Sequence, residues 1–526
     1  MNWATIRDCR GKLAHETGTI LKDWGGRIHV ALIYPNRYSV GMSNLGLQTI
    51  YGLANSFDQV VFERVFFEGH EPASLESQRP LSDFDVFAFS FSYEHDYFNA
   101  ARLLKSSGVP LFSRDRDTRH PLVIAGGAAV TANPEPVAQF IDCFGIGEAE
   151  AILPRMIGIF SEGLDLPREQ LLEELSLVPG VYVPAFGDQT VIRQAAKNID
   201  DFPTTSVVLN PQTELGDMYL IEIARGCARG CRFCLAGYQF RPARFRPVES
   251  LLAQVREGLR YRHRVGLVSA AISDHPQIED LMEGLRGMGA NFSASSIRID
   301  PLPETLLQGL ARSEAKTVTL APEAGSQRLR NVVGKGISEE DILDAVSRVA
   351  AYNFKQIKLY FMIGLPTETD SDIVAIAHLI QSAKAVADRS RSGIHFTLNI
   401  TPFVPKAGTP FQWMPMARKT VLKKRLAMLK KELRQQGVEV KADSIEWSLI
   451  QGMLARGDAR LGTVIANMSK VNLSAWWQGL EQSGIDSDAI YQPIPFEERL
   501  PWERINSGTS RDRLQGELQK AILNEY

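Results

Sequence analysis

Short apolar runs that stop at turn residues alternate with amphipathic stretches along most of the chain. Ile28-His-Val-Ala-Leu-Ile-Tyr-Pro35 ends at a Pro-Asn turn, and Gly41 to Ala54 then reads as a helix. Asp85-Val-Phe-Ala-Phe-Ser-Phe-Ser92 and Leu122-Val-Ile-Ala-Gly-Gly-Ala128 repeat the pattern, each followed by a helical stretch. Apolar runs this short, bounded by turns, read as buried strands. Strands alternating with helices predict an α/β fold with a doubly wound parallel sheet. Its ligand crevice lies beyond the carboxyl ends of the strands. Here those ends are the turns at 36–41, 93–96 and 126–131.

The pattern restarts near Leu220. Met218–Ala224, Gly266–Ile272, Asn291–Ile297, Thr317–Pro322, Gln356–Met362 and His395–Ile400 read as six strands. Amphipathic helices separate them, among them Val248–Tyr261 and Ser338–Tyr352, the second opened by Ser338 as N-cap with Asp341 three residues on. Six such repeats predict a partial (β/α)6 barrel with its chemistry at the carboxyl ends of the strands. From about Arg418 the chain turns rich in Lys, Leu, Arg and Glu and reads as mainly helical, including Ser444–Ala455. Trp476 and Trp477 in this stretch read as core residues, with a substrate wall as the alternative, since aromatics mostly serve by burial. The expected division is 1–205, 206–417 and 418–526, with no internal repeat or low-complexity linker.

Composition narrows the class. At 44% hydrophobic and 23% charged, the 526 residues have ordinary globular make-up. No run of about 18 uncharged apolar residues predicts a membrane span. The opening decapeptide carries no apolar signal core. The expectation is therefore a cytoplasmic protein. A net charge of −3 provides no general attraction to nucleic acid.

Three of the five cysteines stand together, Cys227, Cys231 and Cys234, in Arg-Gly-Cys-Ala-Arg-Gly-Cys-Arg-Phe-Cys. A structural zinc wants a fourth Cys or His close by, and His263 and His275 lie outside the usual short spacings. A disulfide pairs only two of the three, and five cysteines do not make a secreted framework. A [4Fe–4S] cube normally takes one thiolate on each iron. Three thiolates on one loop hold three irons and leave the fourth open to a ligand that is not protein. Gly226 and Gly230 suit a backbone that curls round such a cluster. Arg225, Arg229 and Arg232 set positive charge beside it.

This Cys-x3-Cys-x2-Cys loop, with Phe233 before the last cysteine, resembles the signature of the radical S-adenosylmethionine (SAM) superfamily. Leu320-Ala-Pro-Glu-Ala-Gly-Ser-Gln-Arg-Leu-Arg330, Tyr360-Phe-Met-Ile-Gly-Leu-Pro-Thr-Glu368 and Pro402-Phe-Val-Pro-Lys-Ala-Gly-Thr-Pro-Phe-Gln-Trp413 extend the likeness. They resemble the subgroup with an N-terminal Rossmann-like, cobalamin-binding-like domain. The resemblance implies Cys227, Cys231 and Cys234 as ligands of a [4Fe–4S] cluster whose open iron chelates SAM. It also implies reductive cleavage of SAM to methionine and a 5′-deoxyadenosyl radical. Phe233 is then the residue near adenine. Ser273 and Asp274 stand where relatives hold the SAM amino group, although a helix cap is an equal reading of Asp274. Ser295 and Arg298 leave the third strand, and Arg298 is a planar donor for the SAM carboxylate. Glu323 is a ribose acceptor, against an alternative in which it pairs with Arg328 or Arg330. Ile363 and Gly364 begin an apolar shelf for adenine.

Gly126-Gly127, Thr131, Asn133-Pro-Glu-Pro136, Asp142 and Gly145-Ile-Gly-Glu148 follow the later pattern of a cobalamin domain. The Asp-x-His-x-x-Gly loop is missing, and Pro35-Asn-Arg-Tyr-Ser-Val-Gly41 occupies its place. Cobalamin therefore stays open, and with it the choice between methyl transfer and other oxidoreduction. The expected partners are an unknown substrate and an electron donor such as flavodoxin or ferredoxin, with no membrane. Two rival readings are an RNA-modifying methylthiotransferase-like enzyme and a non-catalytic iron–sulfur module. No catalytic side chain beyond the cofactor ligands is legible. Arg241, Arg244 and Arg246 read equally as a substrate-facing or a solvated basic group.

Overall fold

The computed structural model describes residues 3–69, 71–187, 189–295, 297–390 and 393–523. The chain divides into two compact units. The first is Met1–Asp217, Leu454–Ser487 and Arg499–Gly508; the second is Met218–Met453, Asp488–Glu498 and Thr509–Tyr526.

The first unit is built on six strands, β1 (Ile28–Tyr34), β2 (Val60–Phe66), β3 (Val86–Ser90), β4 (Leu122–Gly126), β5 (Cys143–Gly145) and β6 (Val181–Tyr182). They lie in the order β2-β1-β3-β4-β5-β6. All neighbours are parallel except β6, which runs against β5. Every residue of β2 and β3 is buried, as expected for parallel strands covered on both faces. That burial includes Arg64, held by Glu76 at 2.6 Å and Glu16 at 2.7 Å and lying over the Tyr51 ring. The two carboxylates keep a guanidinium tolerable inside the core. The helix predicted from Gly41 is two pieces, Tyr38–Gly41 and Leu45–Asn55, because Asn44 caps the second by accepting from Leu47 N.

The second unit holds seven parallel strands in two ladders. One is β7 (Tyr219–Glu222), β8 (Arg264–Val268) and β9 (Asn291–Ala294), with β8 central. The other is β10 (Thr317–Glu323), β11 (Gln356–Ile363), β12 (His395–Pro402) and β13 (Glu439–Ala442), in sequence order. Helices intervene, which makes this the partial (β/α) barrel, extended by the short β13. The Ser338–Asp341 capping box opens Glu339–Ala350 as the sequence predicts.

Residues from 418 onward are shared between the units. Their amphipathic segments bury apolar faces on whichever core is nearer. Trp476 is fully buried edge-on to Phe98 in the first unit. Leu514, Leu518 and Ala521 of the helix Arg511–Leu523 are buried in the second. Among the described residues no helix is long and apolar enough to cross a membrane.

Candidate SAM and cluster site

The cysteine loop leaves β7 and is closed at its base by a short antiparallel pairing of Ala224–Arg225 with Arg244–Phe245. Gly226 has φ +84°, and a Cβ there would run into the Phe240 carbonyl oxygen. Only glycine fits that turn. Arg232 fixes the middle of the loop: its guanidinium donates to Asn331 O at 2.9 Å and Val332 O at 3.0 Å, and lies 3.2 Å from Glu517. Arg241 braces the far side, donating to the Gly237 and Arg229 carbonyls.

All three cysteines are half-buried and free of disulfides. Burial pushes the Cys231 thiol up to about 11, against the pull of Lys335. Burial also raises Cys234, while the backbone N–H groups of Ala236 and Gly237 point at its sulfur and oppose the rise. Among the described residues no three Cys, His, Asp or Glu side chains gather tightly enough for a single metal ion. A cubane does not require that, since each thiolate binds a different iron. Three partly screened thiols on one loop, with amides aimed at one sulfur, fit such a cluster.

The loop's arginines are paired. Arg225 bonds Glu222 at 2.9 Å, and Arg229 makes a two-pronged contact with Asp274 at 2.9 and 2.6 Å. Asp274 ends the short turn Ile272–Asp274 after β8. Arg298 Nε lies 3.5 Å from the same carboxylate, and Arg298 N donates to Ser273 Oγ at 3.2 Å. Asp274, Arg229, Arg298 and Ser273 thus form one polar cluster beside the cysteines. Ser295 sits apart from it, exposed, with its hydroxyl donating to Ser269 O. Phe233 is half-buried on the loop.

Glu323 ends β10 with φ +69°. It pairs with Lys335 at 3.0 Å. Arg328 is taken by Asp372 and Thr367, and Arg330 is buried on the Ala324, Gly325 and Ile337 carbonyls. The arginine partners considered from the sequence are therefore not the ones used. Lys335 was the residue missed; its signal was Gly334-Lys-Gly336, with both glycines at positive φ, a turn that presents one side chain.

Ile363 is buried at the end of β11, and Gly364 follows at φ +80°. Gly364 N donates to Glu368 Oε2 at 2.6 Å, and Arg425 clamps the same oxygen at 2.6 Å. Arg246 is fully buried on Glu222 at 2.7 Å, so it is neither substrate-facing nor solvated.

In the first unit, the strand order reverses between β1 and β3, a topological switch point. The turns there are tied together. Asn36 donates to Asp96 at 3.1 Å and Asn44 to Ser92 at 3.0 Å. Aligned on Gly41, Tyr38 holds the histidine position of Asp-x-His-x-x-Gly. It is buried, with its hydroxyl donating to Glu16 at 2.7 Å and accepting from Asn210 at 2.6 Å. Beside the carboxyl ends of β3 to β5 lies an apolar cavity of about 140 Å³, lined by Leu32, Ala88, Ile124, Gly126, Gly145 and Met156 among others. At Gly126 an added Cβ would meet nothing closer than Gly145 O at 3.6 Å. Glycine is not required there by the backbone; its absence of a side chain keeps the cavity open.

Residues 221–380 match the family described as Radical SAM superfamily, and residues 46–184 match that described as Radical SAM proteins, N-terminal. The chain belongs to the radical SAM superfamily, whose members are enzymes built around a [4Fe–4S] cluster and SAM. It is 31% identical over 440 residues to uncharacterized protein MJ0966 of Methanocaldococcus jannaschii, covering 82% of this chain and 89% of that one. A tRNA-2-methylthio-N(6)-dimethylallyladenosine synthase of Thermotoga petrophila is 25% identical over 36% of this chain and 43% of its own. The fold is similar to that of the methyltransferase TsrM from Kitasatospora setae, solved with cobalamin and a [4Fe–4S] cluster bound. That likeness has TM-score 0.53 at 11% identity, over 87% of this chain and 99% of that one. It is also similar to that of the cobalamin-dependent enzyme OxsB, solved with aqua-cobalamin bound, with TM-score 0.52 at 14% identity, over 95% and 80%.

Proposed function

We propose that the second unit binds SAM on a cluster held by Cys227, Cys231 and Cys234 and cleaves it reductively. The observation that carries this reading is the cysteine loop, with the Asp274–Arg298 and Glu323–Lys335 groups beside it. When bound and reduced, the cluster supplies the electron that splits the sulfonium of SAM. The protein's own part is to bind and aim. Asp274 accepts from the amino group and Arg298 donates to the carboxylate, each giving up part of its pairing with the other. Glu323 accepts from the ribose hydroxyls, with Lys335 holding its carboxylate in place. Phe233 and the Ile363–Gly364 turn offer apolar surface to adenine. The test is Cys231→Ala on protein reconstituted with iron and sulfide. It should lose the cluster's visible absorbance and 5′-deoxyadenosine formation together, and a variant still cleaving SAM ends the assignment.

A second reading, cobalamin in the first unit, is favoured by the open cavity at Gly126. The apolar slot suits the flat benzimidazole end of that cofactor, while the buried Tyr38 provides no ligand to cobalt. We therefore assign the slot to the cofactor's tail and leave the metal without a ligand from this loop. Gly126→Val should fill the slot and abolish retention of cobalamin after gel filtration while the folded absorbance and melting point persist. Equal retention by variant and parent removes this reading and leaves the first intact.

A further inference from the structure

Along each strand of the ladder β10 to β13, successive side chains turn to opposite faces. Leu320, Ile357, Leu359, Leu398 and Ile400 are fully buried, on the face that the helices of such a barrel cover. The other face is the inside of the barrel, and it is polar. Thr317 donates to Gln356 Oε1 at 3.0 Å, Gln356 Nε2 to Thr397 at 2.6 Å and Thr397 to Glu439 at 3.2 Å. This chain of side chains crosses all four strands near their amino ends.

Further up the same face stand Lys358 and Tyr360 of β11 and Asn399 of β12, with Tyr360 and Asn399 directly opposite each other. All three are half-buried. Lys358 Nζ lies 5.5 Å from the centre of the Tyr360 ring. Tyr360 is the next residue of this face toward the carboxyl end, so the ammonium is directed up the strand, toward the rim from which the cysteine loop leaves. Among the described residues no acid pairs with Lys358. A ring contact does not replace one for an ammonium partly withdrawn from water. Asn399 Oδ1 is buried with no hydrogen-bond partner among the described residues, and such an atom costs stability until a donor meets it. An unmet cation and an unmet acceptor on adjacent strands, inside the barrel and below its rim, suit a ligand and not a core.

We infer that the substrate carries an oxyanion, a carboxylate or a phosphate, which Lys358 receives inside the barrel, an inference that rests on the SAM-cleavage reading above. Lysine suits either oxyanion, as a compact charge on a flexible stem. The groups proposed to hold SAM, Asp274, Arg298, Glu323 and the Ile363–Gly364 turn, leave Lys358, Tyr360 and Asn399 unused.

The test uses the full chain as purified and needs neither cluster nor SAM. Lys358 is trace-labelled with acetic anhydride and read by peptide mass spectrometry against the exposed Lys430. The probes are benzoate, phenyl phosphate and, as the uncharged control, benzyl alcohol. Labelling of Lys358 should fall at least threefold with one or both anions and stay unchanged with the alcohol. Protection by benzoate alone marks a carboxylate, and protection by phenyl phosphate alone marks a phosphate. Protection by neither anion, or equal protection by the alcohol, overturns the inference. Lys358→Met supplies a second measurement. A lysine kept for a ligand leaves no acid unpaired when it is replaced, so the variant should melt at or above the parent's temperature. A fall of several degrees would make Lys358 a structural residue and overturn the inference. On reconstituted protein with dithionite, the variant should form 5′-deoxyadenosine within twofold of the parent; a larger loss would place Lys358 in the SAM site instead. If the parent itself forms none, the SAM-cleavage reading fails, and the labelling still decides whether Lys358 takes an oxyanion.

Discussion

Lys335 Nζ lies 3.0 Å from Glu323 Oε1, and Lys335 also acts on Cys231, lowering the thiol's affinity for its proton. The pair joins the end of β10 to the cysteine loop, whose Gly230 carbonyl passes 2.9 Å from where a Cβ of Gly334 would stand. A Glu323 left without its lysine is a half-buried carboxylate free to turn away from the position proposed for the ribose. Lys335→Ala should therefore weaken SAM binding about tenfold, equivalent to about 1.4 kcal/mol, with bound iron unchanged. Equilibrium dialysis of SAM beside an iron assay separates the two. Loss of iron in step with SAM would make the pair a support for the loop alone.

The strands and the cysteine loop were legible because their signals are local. A buried run such as Ile28–Tyr34 is marked by its own residues, and three cysteines within eight positions need no tertiary information. The partners of the charged residues were not legible. Glu323 has Arg328 and Arg330 close in sequence, yet Arg330 is pulled into the core by carbonyls and Arg328 outward by Asp372. The lysine that wins is twelve residues on, delivered by two left-handed glycines. Arg229 meeting Asp274 across 45 residues is likewise a product of the fold. The late segments could not be assigned from sequence, because an amphipathic helix shows that it has a partner without showing which core supplies it.

Arg232 and Glu517 tie the loop to the helix Arg511–Leu523 at 3.2 Å. Arg232 is buried and needs its remaining acceptor. Glu517 is partly exposed, so the ion pair itself is a modest contribution, about 0.5–1 kcal/mol. Its effect on the loop is the larger expectation. Glu517→Ala should slow cluster reconstitution and increase iron loss to a chelator several-fold, with a small fall in melting temperature. Iron retention equal to the parent would show that the carbonyl contacts alone hold Arg232.

Burial raises the Asp96 carboxyl to about 6 against an ordinary 3.8, with the Asn36 hydrogen bond opposing the rise. The folded state thus binds the proton more tightly than the unfolded chain does. The stability this gives is complete below pH 3.8 and is lost as pH rises through about 6. Asp96→Asn keeps an oxygen to accept from Asn36 and removes the charge. It should stabilise the first unit by about 1–3 kcal/mol at pH 7.5 and by little at pH 4. Denaturation midpoints at the two pH values check this, and an equal effect at both would show that charge burial is not the cause.

Gly364 combines two constraints that a double substitution can separate. Its φ of +80° disfavours any side chain, and a Cβ would lie 2.7 Å from Leu422 Cδ2 and 3.0 Å from the Ala417 Cβ. The left-handed backbone alone costs a non-glycine residue about 1–2 kcal/mol. Gly364→Ala should exceed that through overlap with Leu422 and should weaken SAM binding by shifting the turn. Leu422→Ala alone should cost about 2–5 kcal/mol, as buried leucine truncations do. Together the two should cost less than their sum by more than about 0.5 kcal/mol, because the truncation makes room for the new methyl group while the backbone penalty remains. Denaturant midpoints of the four proteins measure that coupling. A strictly additive result would assign the whole cost of Gly364→Ala to the backbone and remove Leu422 from the setting of the turn.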